Sequence, residues 1–444
     1  MTVMTKPESS FRELYARLSV RRKEPVWLTQ LRERGMQRFD ELGFPTIHDE
    51  DWRFTNVAPI ATREFHPAPQ ASLDAADLAP FAIQGLNDAL QLVFVNGRFA
   101  PGLSRLRALP KGVTAGSLAA AIARDDVVLQ KNLGRLADAE SNSFTALGTA
   151  LFEDGLYVHV PARAVVEEPI HAIYVNLPGS ETAQIHARSL IVAERESKVN
   201  VIEDHVSLGE GIAFTNALTE IAAGEGTHVR HCRLERENME AMSVLTLHSE
   251  QGRDSDFASH SALLGGALVR NGIYPSLRGT GCTSLLNGIY VAVGAQHHDT
   301  HMRVRHAEPH CGSRQFYRGI LDDQARGVFS GRIIVHEGAQ KTDAKQTSMN
   351  LLLSDQAHVE AKPQLEIYAD DVKCTHGATV GQIDGDALFY LQARGIDEDL
   401  ARMLLIFAFA NEVLDRIEIE PVRELLRSLV GERLPQSGRE LAVP

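Results

Sequence analysis

The chain has 444 residues, 44% of them hydrophobic, with 45 Lys and Arg against 58 Asp and Glu and a formal charge of −13. That length and apolar share allow a large core and about three domains of ordinary size. The acidic balance argues against general binding to nucleic acid or to anionic membranes and favours a soluble chain with protein partners. The longest apolar run, residues 403–410, is far short of the ~20 residues that cross a bilayer. The opening MTVMTKPESSFRELYARL lacks the apolar run of a signal peptide, so a cytoplasmic protein is expected.

In chain order, residues 1–85 read as a polar helical domain. Leu28, Leu31, Met36, Phe39 and Leu42 recur near helical spacing after Pro25, and Gly43 and Pro45 close that helix. The segment GFPTIHDEDWRFTNV then sets Trp52 and Phe54 among acidic residues, as expected of a short element docking two aromatic rings on the core. Pro67, Pro69 and an Ala/Asp-rich run to Ala79 read as a linker.

Residues 86–384 read as a β core with a helical insertion near 117–151. Residues 91–95 are a strand candidate, and Leu118, Ala121, Ile122, Val128, Leu133 and Leu136 recur at helical steps with interruptions. From Gly155 onward short strand-like pieces follow one another: LYVHV (156–160), IHAIYV (170–175), SLIVA (189–193), KVNVI (198–202), SVLTLH (243–248) and RIIVH (332–336). Regular short strands suggest a sandwich, a barrel or a parallel solenoid. More than two hundred residues is long for one sandwich, and an internal echo favours the solenoid. Asn271-Gly272-Ile273-Tyr274 returns as Asn287-Gly288-Ile289-Tyr290, and Gly319-Ile320 follows at about twice that step.

Residues 385–444 read as a helical domain. Asp397 is a candidate N-cap with Glu398 and Asp399 in the first turn. The helix that follows is apolar nearly all round over 403–410, so it has to be covered on most sides, and a further helix is expected over 422–430.

There is no Gly-Lys dipeptide and so no P-loop, and neither G-x-G-x-x-G, G-x-S-x-G nor H-E-x-x-H occurs. The four cysteines, Cys232, Cys282, Cys311 and Cys374, have no C-x-x-C spacing. Two stretches could still carry chemistry. In QHHDTHMRVRHAEPHC (296–311), read as a strand, His297, Asp299, His301, Arg303 and Arg305 share one face, expected to be solvated and polar. His298, Thr300, Met302, Val304 and His306 share a mixed inner face. A metal chelated by His297, Asp299 and His301 in a stand-alone β-solenoid enzyme is the alternative reading. The second stretch is PQLEIYADDVKCTHGATVG. There the alternation resumes after Asp370-Asp371 and places Cys374 and His376 side by side on one strand face. A small buried thiol beside a hydrogen-bonded imidazole explains that pair without chemistry, and a metal ligand pair explains it with chemistry. The Gln-, Thr-, Asn- and Ser-rich residues 335–355 read as stacked polar side chains on a solenoid corner.

The stretch GAQKTDAKQTSMNLLLSDQAHVEAKPQLEIYADDVKCTHGATVGQIDGDALFYLQARGI (338–396), together with EDWRFTNV near the amino end, closely resembles the SufB/SufD family of iron–sulfur cluster assembly proteins, in its SufD-type form. The resemblance implies a right-handed parallel β-helix core flanked by amino- and carboxy-terminal helical domains. It implies a non-catalytic scaffold subunit of the SufBCD complex, paired with SufB through the β-helix and with the ATPase SufC through the carboxy-terminal helices. It also implies a transient iron–sulfur cluster, or iron, shared with SufB at the strand carrying His376, the first candidate ligand, and Cys374, the second. SufB-type chains are expected to carry Glu near the shared His and a further upstream Cys that accepts sulfur. Cys374-Thr375-His376-Gly377 departs from that pattern, so the sulfur-acceptor role is not transferred. Flavin association with the complex and homodimer formation by the isolated chain are left open by the residues.

Overall fold

In this parallel solenoid each coil contributes one strand to each of two facing sheets, and residues of alternate parity point into the lumen between them. The fold is described from a computed structural model covering residues 6–21, 23–179 and 182–433. Residues 1–5 of the stretch read above for a signal segment, and 434–444 at the end of the expected carboxy-terminal domain, lie outside the described residues.

Among the described residues each sheet has ten strands. The first runs through Ala183–Ala193, Ala213–Ala223, Met242–Gln251, Leu268–Leu277, His297–His306 and Arg326–Val335 to His358–Ile367. The second runs through Lys198–Ser207, His228–Arg236, Asp256–Leu263, Thr283–Ala292, Gly312–Leu321 and Asp343–Leu352 to Lys373–Gly381. All these pairings are parallel and in continuous register: Lys198 meets His228, and His228 meets Asp256, steps of 30 and 28 residues. At the amino end, antiparallel pairs close the stack: Leu90–Val95 with Arg98–Phe99, and Thr114–Ser117 with Leu156–Val160.

The strand pieces at 156–160, 170–175, 189–193, 198–202 and 243–248 fall within strands, and that at 332–336 does so up to Val335. The Asn-Gly-Ile-Tyr echo has a different origin from the one expected. Its two copies lie on opposite sheets, so the sixteen-residue step crosses the solenoid and is not one coil. Their faces differ too: Ile273 joins the luminal core, whereas Ile289 points outward under the carboxy-terminal helices. The true coil repeat sets Gly319 against Tyr290.

The segment 117–151 is not one interrupted helix. It forms Leu118–Ala123, Val127–Asn132 and Ser143–Leu151. Each begins anew because Ser117, Asp126 and Asn142 accept hydrogen bonds from the first free backbone N–H groups. Helices Lys6–Arg21 and Val26–Leu42 pack with this group on an aromatic cluster that includes Phe11, Phe39, Phe65, Phe144 and Phe214. Gly43, at φ +64°, ends the second helix by returning its N–H to the Phe39 carbonyl. Part of the expected linker is structured, since His66–Pro67 pairs in parallel with Ala183 and Gln184.

The acidic aromatic segment forms a strap across the outer face of the first sheet. Trp52 is buried under the Arg270 guanidinium, 4.3 Å from its ring, whereas Phe54 is only half-buried. The Asp51 carbonyl accepts from Arg270 at 2.8 Å, the Thr55 hydroxyl donates to Asp299, and Glu50 meets Lys362 at 3.1 Å and Arg332 at 3.6 Å.

At the carboxy end, Asp397 caps helix Glu398–Leu414 by accepting from the Leu400 N–H at 3.0 Å. This helix and Glu420–Arg433 cover the outer face of the second sheet. Ile406, Ala410, Val413, Leu414, Val422 and Leu426 close over Ile202, Cys232, Leu234 and Ile289. The cover is one-sided, not all round: Leu404 remains 41% exposed, and on the neighbouring helix Gly385–Gln392, Phe389 is 71% and Tyr390 58% exposed.

The lumen holds apolar rows such as Val199, Val201, Val229, Phe257, Met302 and Phe329, and a charged belt around Glu203. Glu203 accepts from Ser189 at 2.5 Å, Thr219 at 2.8 Å, His231 at 3.0 Å and Arg233 at 3.3 Å. Burial alone would raise its pKa, but the His231 hydrogen bond and the Arg233 charge outweigh it and hold the carboxyl well below the ordinary range. Burial drives the imidazoles of His205, His298 and His306 down to about 4 from the ordinary 6.5. Because the folded values lie below the unfolded one, these groups support the native state fully above pH 6.5, and that support is lost as pH falls toward 4. We expect a lower urea midpoint at pH 5 than at pH 7, and a smaller drop in His306→Gln. Midpoints independent of pH over this window would refute the assignment of neutral luminal histidines.

A candidate functional site at the open end of the solenoid

His358–Ile367 and Lys373–Gly381 are the last strands of their sheets, and among the described residues no strand pairs with their outer edges. Residues 363–381, which read as two runs of alternation about Asp370-Asp371, are thus split between both sheets, with the turn between them crossing from one to the other. Register fixes the parity of the final strand. Cys374 stacks on Ala344, His376 on Gln346, Ala378 on Ser348 and Val380 on Asn350, so this row continues the luminal face of the coil beneath. On the facing wall Pro363, Leu365 and Ile367 stack on Gly331, Ile333 and Val335. With no further coil above, luminal residues meet solvent: Val380 is 45% and Ile367 40% exposed.

Cys374 is half-buried and packs with Ile333, Val335, Ala339, Ala344 and Ala369. Burial, with the Asp343 charge nearby, pushes its thiol pKa above the ordinary 9.0. His376 is exposed. Beneath it Gln346 is fully buried and donates to the Gln315 side-chain oxygen at 2.5 Å, while its own Oε1 has no hydrogen-bond partner. Asn350 accepts from the Tyr290 hydroxyl and donates to the Thr379 carbonyl at 3.2 Å, tying the last strand to the coil below. Of the polar residues of 335–355, Gln346, Ser348 and Asn350 therefore line the lumen, whereas Gln340, Thr342 and Ser354 lie in the turns at either end of the strand. Gln346, Ser348 and Asn350 were not singled out by sequence reasoning; the thirty-residue coil step from 346 to 376 is the signal that finds them.

The pair can supply a soft sulfur and an imidazole nitrogen from one strand face. Two donors are too few to enclose an iron–sulfur centre, and among the described residues no group of three or more His, Cys, Asp and Glu is placed to hold a metal. A cluster at this edge would need ligands from another chain.

The other candidate set has a structural role. His297, Asp299 and His301 share the outward face as expected, but only the far half of that face is solvated: Arg305 is exposed and Arg303 half-buried, whereas Asp299 is 0% and His301 5% exposed. The strap of residues 50–55 lies on it. The Asp299 carboxylate is occupied by Arg270 and the Thr55 hydroxyl, the His297 ring meets Thr55 at 3.1 Å, and His301 approaches Asp51 at 3.8 Å. With Asp299 Oδ2 taken by Arg270 and Thr55, and with the strap lying over all three side chains, they form an anchor for the strap, although the buried Asp299 Oδ1 has no hydrogen-bond partner. Of the remaining cysteines, Cys232 is buried beneath the carboxy-terminal helices, and Cys282 and Cys311 are buried on successive coils, where both thiols reach the Gly279 carbonyl.

Residues 176–409 match the profile described as SUF system FeS cluster assembly, SufBD core domain, and residues 5–172 match that of the SufBD protein N-terminal region. The chain belongs to the SufBD family. It is 32% identical over 413 residues to the iron–sulfur cluster assembly protein SufD of Escherichia coli, covering 92% of this chain and 93% of that protein. It is 28% identical over 442 residues to SufD of Bacillus subtilis, 98% and 100% of the two chains. A SufBD family protein of Synechocystis is 32% identical over 412 residues, 91% and 90%. Among SufBD proteins this chain is therefore a SufD homologue, an iron–sulfur cluster assembly protein with a β-solenoid core. Among its described residues no helix is long and apolar enough to cross a membrane.

The packing of Cys374 gives a direct readout. Alkylation of its peptide by iodoacetamide in the native protein should rise with pH and inflect above 9, returning to the free-thiol value in urea. An inflection at or below that of free cysteine would show that the thiol does not pack as described.

Proposed function

We propose that this chain is a non-catalytic scaffold subunit of a cytoplasmic SufBCD complex, lending its last coil to SufB and its carboxy-terminal helices to the ATPase SufC. The observation that carries the reading is the open coil bearing Cys374 and His376. A solenoid coil buries its luminal row only against a neighbour, and here the last row is half-buried or exposed beside two strand edges that are unpaired among the described residues. A second β-solenoid chain would cover it, and ligands from that chain would complete the donor set that Cys374 and His376 begin. The nascent cluster is cargo at this junction, with His376 the first ligand and Cys374 the second. The exposed Phe389, Tyr390 and Leu404 support a second docking surface, fitted to SufC. The sequence has no P-loop, which supports the reading that ATP hydrolysis belongs to that partner.

His376→Ala touches no core packing, so the variant should fold and assemble with SufB and SufC as the parent does, while the iron and sulfide recovered on the complex fall several-fold. Undiminished cluster content would remove His376 from the site. Full-chain Phe389→Asp/Leu404→Asp, and a chain ending near Gly385, should both fail to retain SufC while still pairing with SufB. Retention of SufC by the double variant would place that contact elsewhere.

A further inference from the structure

One cavity lies away from the open end and from both docking surfaces. It occupies about 300 Å³ on the outer face of the first sheet, between that face and the loop at 135–140. Its floor is a ladder of outward residues on successive strands. His248 lies opposite Tyr274 in register, their rings 4.8 Å apart, and the Arg303 guanidinium sits 5.5 Å from the Tyr274 ring. One step along, Arg305 lies opposite Ser276. Arg278 and Arg135 stand at the rim, and both are engaged by Glu250, at 3.1 and 2.7 Å. Asp138, also in the lining, accepts from the Glu140 backbone N–H.

Three features of this cavity await a partner. Among the described residues neither Arg303 nor Arg305 has a carboxylate within ion-pair distance. His248 is only 9% exposed, and its Nε2 is buried without a hydrogen-bond partner. Of the lining carboxylates, Glu250 and Glu140 are taken by Arg135, Arg278 and Arg38, so two guanidiniums without ion pairs and an unsatisfied imidazole nitrogen stand against the single carboxylate of Asp138, and the site is short of negative charge. Burial, with these arginines adding to it, lowers the His248 pKa to about 4, so its ring is neutral at pH 7 and can still donate one N–H.

The geometry points to a binding site for a phosphate monoester, with Arg303 and Arg305 on the tetrahedral oxyanion, His248 donating a further hydrogen bond, and Tyr274 flanking the esterified group. Guanidinium forks suit such an anion, and charge-assisted bonds to it are short and strong. The volume is at the lower limit for small-molecule sites, which fits one phosphate and a compact substituent and excludes a dinucleotide.

Calorimetric titration of the full chain with phenyl phosphate and with inorganic phosphate, at constant ionic strength against chloride, tests the assignment. Saturable one-to-one binding is expected, tighter for phenyl phosphate. Arg303→Gln and Arg305→Gln should each weaken it by about tenfold, their combination should abolish it, and Arg402→Gln on the distant helix should leave it unchanged. In the ring resonances of His248, bound anion should raise the titration midpoint. The lining side chains point outward, so folding of the variants can be checked by unchanged melting. No saturable binding at about 10 mM of either anion, or a double variant that binds like the parent, overturns the proposal. Equal affinity for the two probes overturns the ester and leaves a free-phosphate site.

Discussion

The structure depends on the parallel register between successive coils. Each strand is held by backbone hydrogen bonds to the strand one coil before and one coil after, and the same register stacks luminal side chains in columns. A coil alone cannot bury its inner row, so every coil borrows stability from its neighbours, and the two ends of the stack become special. At the amino end antiparallel strands and helices meet that need. At the other end the column stops at Cys374, His376, Ala378 and Val380, and the last two strands keep their outer edges unpaired among the described residues.

Much of this was legible in the sequence because short strands separated by Gly, Asn and Asp turns leave a strong local imprint. The strand segments and the Asp397 cap are fixed by local chemistry, alternation in the first case and a side-chain acceptor for free N–H groups in the second. What was not legible is mostly long-range. The Asn-Gly-Ile-Tyr echo suggested coils but measured the wrong distance, since parity resets at each turn and identical tetrapeptides can face opposite ways. The part of the outward face at 297–301 looked solvated because its cover, residues 50–55, lies over two hundred positions away in sequence. Helical spacing over 117–151 hid three separate helices, each restarted by its own cap.

The candidate site divides along the same line. Sequence alternation alone puts Cys374 and His376 on a common face, and the resemblance to SufBD proteins marks them as ligand candidates. That the face is luminal, and that Gln346 and Asn350 lie directly beneath it, follows only from the register of the final coil. At Glu203 the lumen accommodates charge by pairing: the carboxylate is satisfied by two hydroxyls, an imidazole and a guanidinium, so its burial leaves no unpaired acceptor to compete for metal.

The strap at residues 50–55 bears on how the solenoid behaves as a body. Through Arg270, Asp299, Arg332 and Lys362 it touches four consecutive strands of one sheet, the last of which borders the open end. Its exposed ion pairs are individually weak, but the Asp299–Arg270 contact is buried and fixes the strap in the middle. Neighbouring coils tied this way cannot slide or splay independently. A displacement imposed on the terminal coil is therefore shared by the three behind it and passed to the helices at the amino end, which makes this half of the molecule a stiff lever rather than a stack of separable plates.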